Sequence, residues 1–106
     1  MTRIVEQVLA ELKGQLAALY GERLRGVYLF GSYARGDADD ESDVDVLIVL
    51  DRVDHYSREI SQTSEVISEL SLKHGITLSR FFASETQWRD DPTNFFLNVR
   101  EEAVPA

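Results

Sequence analysis

Residues 26–50 read GVYLFGSYARGDADDESDVDVLIVL, and three segments of different character follow one another within them. Gly26–Phe30 is rich in β-branched and aromatic residues and is bounded by glycines, the composition of a short strand. Gly31–Ser42 is small, polar and acidic. Asp43–Leu50 is a second strand pattern, apolar at every position from Val46 onward, so both faces of that half need cover. Side chains alternate along a strand, which puts the carboxylates of Asp43 and Asp45 on one side. Their like charges repel, and a divalent cation relieves that repulsion. Mg2+ is commonly held by one or two carboxylates, with water and phosphate oxygens completing its shell. At the end of the first strand, Gly31 lets the backbone approach a ligand closely. Ser32 adds a hydroxyl and, where a helical turn begins, free amides suited to phosphate. Each signal has a plainer reading alone: a lone Asp-x-Asp is a solvated strand end, and Gly-Ser after a strand is a turn. Their placement joins them. If the two strands are antiparallel neighbours, Gly31 and Asp43 lie side by side, and phosphate donors and metal ligands face one pocket.

Outward from this stretch the pattern is mainly helical. From Thr2 to Tyr20, the residues Ile4, Val8, Leu12, Leu16 and Leu19 recur every three or four positions, one apolar face of a helix, with Thr2 as N-cap and Gly21 as stop. Tyr56–Lys73 is a second helix, with Ile60, Thr63, Ile67, Leu70 and His74 on one face and Gly75 closing it. It is rich in serine, so packing must support it. Ile76–Ala83 is a third strand. Ser84–Gln87 has the form of a capping box, and Asp91-Pro92 that of N-cap and first residue of a last helix carrying Phe95, Phe96, Val99 and Ala103. The order helix, strand, strand, helix, strand, helix predicts an α/β (α+β) fold, a small sheet with helices on at least one face. The 12 residues between the first two strands leave room for a short helix.

A chain of 106 residues is the size of one small domain, taken as 1–106. Nineteen acidic residues against eleven basic ones give a net charge of −8, which disfavours direct nucleic-acid binding and favours solubility or a basic protein partner. There is no cysteine, which excludes disulfides and cysteine-based zinc sites. The longest apolar run, Val46–Leu50, is too short to cross a bilayer. MTRIVEQVLAEL carries acids within its apolar stretch, unlike a signal peptide, so a cytoplasmic location is expected. DADDESDVD imitates a calcium loop, but Ser42 holds its glycine place and Ile48 its closing glutamate place. Walker and dinucleotide-type glycine loops are absent. Tyr33, Tyr56 and Trp88 are candidates either for stacking a nucleobase or for packing. Phe95, Phe96 and Val99 are candidates for an interface, with core packing expected for at least two of them.

Gly31-Ser32, ten residues, then Asp43-Val44-Asp45, with Ala34-Arg35-Gly36 between, resembles the signature of the minimal nucleotidyltransferases of the DNA polymerase β superfamily. The resemblance implies a mixed sheet flanked by helices in the polymerase β-like nucleotidyltransferase fold. It implies that Gly31 and Ser32 hold the triphosphate of a nucleotide, ATP being expected, and that Asp43 and Asp45 bind Mg2+. Arg35 either touches phosphate or forms a salt bridge with Asp37, Asp39 or Asp40. The implied reaction is attack of a hydroxyl on the α-phosphorus with loss of pyrophosphate. Stand-alone domains of this kind pair with HEPN-family proteins in toxin–antitoxin modules, the transferase being the antitoxin, and the −8 charge agrees with a basic toxin as partner and acceptor. One departure stands out. Many active members carry a third carboxylate on the next strand, and Thr77 occupies that place here. Glu65, Glu69 and Glu85 are the stand-ins considered. The alternative is a catalytically inactive nucleotide- or partner-binding module of the same fold.

Overall fold

The computed structural model describes residues 2–106. Helix α1 (Arg3–Tyr20) opens at Thr2, whose hydroxyl accepts the Val5 amide at 3.2 Å, the expected N-cap. A single turn of 3-10 helix, Gly21–Arg23, leads into β1 (Leu24–Phe30). Then follow α2 (Ser32–Arg35), β2 (Val44–Leu50), α3 (Tyr56–His74), β3 (Leu78–Ser84), α4 (Glu85–Asp90), α5 (Asn94–Glu102) and the two-residue β4 (Val104–Pro105).

The strands form one mixed sheet in the order β3-β2-β1-β4. β1 and β2 are antiparallel, with Phe30 opposite Asp45 and Val27 opposite Ile48. β3 runs parallel to β2, Asp45 beside Ser79 and Leu50 beside Ser84. β4 pairs with β1 through Leu29–Val104 and Tyr28–Pro105.

The continuous apolar run of β2 has the consequence expected of it. Residues 46–50 are buried throughout because helices cover both faces of the sheet. On one face Val44, Val46, Ile48 and Leu50 pack with Val5, Val8, Leu12 and Leu16 of α1 and Ile67 and Leu70 of α3. On the other, Leu47 and Val49 pack with Phe30, Ala83 and, from α5, Phe96 and Val99. By alternation Asp45 belongs to this second face.

Two local features differ from the sequence reading, and a third is not part of it. Asp91 and Pro92 do not open α5: the Asp91 carboxylate accepts the Thr93 amide at 2.9 Å in a turn, and Thr93 is the N-cap. β3 starts at Leu78, leaving Ile76 and Thr77 before it, although Thr77 O still accepts the Val44 amide at 2.8 Å. Glu59, a charged residue inside α3, is buried. It accepts the Tyr20 hydroxyl at 3.0 Å and pairs with Arg23 at 3.2 Å, so the buried charge is compensated. The capping box is present, Ser84 Oγ accepting the Gln87 amide at 3.1 Å and Gln87 Oε1 the Ser84 amide at 3.0 Å.

Candidate functional site

β1 ends where β2 begins, and the chain turns sharply between them at Gly31, which has φ 78° and ψ −158°. Glycine is required there twice over. Positive φ is costly for other residues, and a Cβ built on Gly31 would collide with Oδ2 of Asp45. The Asp45 carboxylate therefore lies directly against the Gly31 backbone. α2 starts at Ser32 and is one turn long, closed by Gly36 in the left-handed region; the Arg35 amide donates to Gly31 O at 3.0 Å and the Gly36 amide to Ser32 O at 2.9 Å.

Asp45 is half-buried, whereas Asp43, just before the strand, is exposed. Burial raises the Asp45 pKa, and the negative charge of Asp43 raises it further; Arg35 opposes this and Glu102 adds to it. These influences map the neighbourhood: two aspartates, one guanidinium and one further carboxylate surround the Gly31 turn. The donor set suits a hard cation held by two carboxylates and completed by water or phosphate oxygens, the arrangement Mg2+ favours. Among the described residues no group of three or more His, Cys, Asp or Glu side chains is arranged to hold an ion by protein ligands alone.

Arg35 forms the salt bridge foreseen as one of its alternatives, with Asp37 at 3.3 Å, and a second with Glu102 at 3.1 Å. Both partners raise the guanidinium pKa, Glu102 most. Glu102 is the residue that sequence reasoning missed. It is the last residue of α5, yet its Oε1 accepts the Gly31 amide at 3.1 Å while Oε2 meets Arg35. The following β4, pinned to β1, holds this end of α5 beside the turn. Glu102 lies 71 residues from Gly31, and no local pattern announces such a pairing.

Thr77, just before β3, is exposed, and Ser79 is the β3 residue beside Asp45, so this edge offers no acid here. Neither do the stand-ins. Glu65 and Glu69 project from α3, which packs on the opposite face of the sheet. Glu85 follows Ser84, which ends β3 about 16 Å along the strand direction from Asp45, and it pairs with Arg25 at 3.2 Å. The aromatic candidates are occupied in packing: Trp88 stacks on Tyr28 with centroids 4.4 Å apart, Tyr33 packs against the core, and the Tyr56 hydroxyl accepts the Phe82 amide at 3.2 Å. Phe96 and Val99 are core residues, while Phe95 is 42% exposed and joins Phe30 and Phe81 in a cluster on the Asp45 face of the sheet.

The comparisons with known proteins agree with this architecture. A family model described as "Nucleotidyltransferase domain" matches residues 9–89, and the chain belongs to that family. It is 38% identical over 96 residues to "Putative protein adenylyltransferase MJ0141" of Methanocaldococcus jannaschii, covering 88% of this chain and 96% of the relative. A second protein of that description and organism, MJ0604, is 36% identical over 98 residues, 92% of each chain. Among solved structures, a minimal nucleotidyltransferase aligns with TM-score 0.58 at 25% identity, covering 96% of this chain and 95% of that one. A chain of a toxin–antitoxin crystal structure with AMP-PNP aligns with TM-score 0.60 at 20% identity, covering 88% and 68%; at that identity the likeness is one of fold.

Proposed function

We propose that the protein transfers a nucleoside monophosphate, AMP from ATP, to a hydroxyl on a partner protein. The observation that carries this reading is the seating of the Asp45 carboxylate against the Gly31 backbone. It brings an acid pair and a glycine turn to one place although they are distant in the chain. Gly31 and Ser32 would bind the triphosphate, and Arg35 would meet its charge. Asp43 and Asp45 would hold Mg2+, which, when bound, neutralises phosphate charge and aligns attacking and leaving oxygens. The half-buried setting of Asp45 strengthens its electrostatic interactions relative to those in bulk water.

Three further points support the acceptor class. The relatives are described as protein adenylyltransferases, a structural neighbour comes from a toxin–antitoxin pair, and the net charge of −8 suits a basic partner. The family resemblance makes a HEPN-type toxin the partner to test. The test is incubation with labelled ATP and Mg2+, with and without that partner. Label should reach the partner with the wild-type chain and not with Asp43→Ala/Asp45→Ala. Equal labelling by both proteins would remove the proposal.

A second reading is favoured by one specific observation, the neutral residues beside the aspartates: Thr77 just before β3 and Ser79 within it. The chain would then be a silent module that binds nucleotide and partner without turnover. Saturable ATP–Mg2+ binding with no label transfer, and transfer appearing in Thr77→Asp, would establish it over the first.

A further inference from the structure

The groups assigned to phosphate binding already hold an anion, and it is part of the chain. The two oxygens of Glu102 are divided between the Gly31 amide, 3.1 Å from Oε1, and the Arg35 guanidinium, 3.1 Å from Oε2. That is how two phosphate oxygens would engage the same donors. The side chain is only 23% exposed, so it is enclosed within the site. Its backbone is fixed from both sides: α5 is anchored by buried Phe96 and Val99, and β4 is paired to β1. Release of the carboxylate therefore needs only a change of side-chain rotamer, not a movement of the helix. In the observed rotamer Glu102 is committed to Gly31 and Arg35, and it does not join Asp43 and Asp45 in a three-acid ion cage.

We propose that Glu102 is an intramolecular stand-in for the triphosphate, occupying the Gly31 amide and Arg35 until a polyphosphate displaces it. The proposal rests on the assignment of these groups to phosphate made above. Its consequence is a site closed to weak anions. An entering polyphosphate must compete with a tethered carboxylate and also meet the fields of Asp43 and Asp45. Binding then depends strongly on the cation that neutralises those acids, and the site discriminates against free phosphate and metal-free nucleotide.

The test is calorimetric titration of the whole chain with inorganic tripolyphosphate, without and with Mg2+, for wild type, Glu102→Gln and Glu101→Gln. Glu101 is the exposed neighbour; its substitution makes the same change in net charge without touching Gly31 or Arg35. Glu102→Gln should bind tripolyphosphate about tenfold tighter than wild type, the loss of one competing charge-assisted contact. The gain should be larger without Mg2+ than with it, and Glu101→Gln should match wild type. Glu102→Asp keeps the charge but retracts the carboxylate by one methylene, and should shift affinity in the same direction by less. Thermal melts confirm that each variant is folded. Equal affinities for wild type and Glu102→Gln, or weaker binding by Glu102→Gln, would overturn the stand-in role while leaving the nucleotide site intact. No binding of tripolyphosphate or ATP–Mg2+ by any folded variant would overturn the site assignment and the stand-in together.

Discussion

At the scale of single residues, two positions stand out, one at the site and one in the core beneath α3. Gly31 combines a positive φ with contact against Asp45, so no other residue fits without moving the carboxylate or the turn. We expect Gly31→Ala to lower stability by about 1–3 kcal/mol through backbone strain and collision, read as a lower midpoint in urea. It should also abolish nucleotide-dependent label transfer. A variant as stable and as active as wild type would contradict the close approach. Glu59 is the second such residue. A glutamate inside a helix facing the core would be a fault if unpaired, but the Tyr20 hydroxyl and Arg23 engage its two oxygens. Burial and the bond to Glu59 push the Tyr20 phenol well above its usual range, so it is a neutral donor to Glu59 at neutral pH.

At the scale of elements, the fold is assembled by amphipathic helices on a strand that is apolar on both sides. α1 contributes Val5, Val8, Leu9, Leu12 and Leu16 to one core, while α5 adds only Phe96 and Val99 to the other. α1 is therefore the element on which stability depends more. Leu12 is fully buried, and Leu12→Ala should cost about 2–5 kcal/mol, measurable by chemical denaturation. A cost under ~1 kcal/mol would mean that α1 is not packed on the sheet as described. Ile4 and Leu19 mark a limit of pattern reading: both fall on the predicted apolar face, yet they are 49% and 45% exposed. The true stripe is centred on Val5, Leu9 and Leu12; at about 100° per residue Ile4 falls roughly a quarter-turn from that centre, whereas Leu19 falls within the stripe but sits in the last turn of the helix.

At the scale of the molecule, helices packed on one face are tied together by charge. Glu11 of α1 meets Lys73 and His74 of α3 at 2.6 Å and 2.5 Å. Its carboxyl is held below its ordinary value of 4.5, chiefly by the hydrogen bond from Lys73 and then by that from His74. A carboxyl with a lowered folded pKa binds fewer protons folded than unfolded in the window between the two values. Stability from this contact is therefore complete above pH 4.5 and is lost as pH falls through the folded value. Glu11→Gln should lower the neutral plateau only slightly, since exposed ion pairs contribute little, and should converge with wild type well below pH 4.5, so that the variant's acid limb is shallower. An acid limb identical in wild type and variant would show that the pair is not formed in solution.

Local chemistry alone determined much of this protein. The apolar run of β2 required cover on two faces, helical periodicity located α1 and α3, and the spacing between Gly31-Ser32 and Asp43–Asp45 placed a polar turn and two acids at adjoining strand ends. These features were legible because each depends on neighbours within one element or one connection. Tertiary structure alone decided which charges meet. The two-residue β4 is too short to leave a pattern, and Glu102 and Glu59 look like ordinary helix-surface acids until α5 and α3 are docked. An ionic partner 71 residues away is chosen by the packing of whole elements, and Coulomb attraction acts across space without regard to chain order.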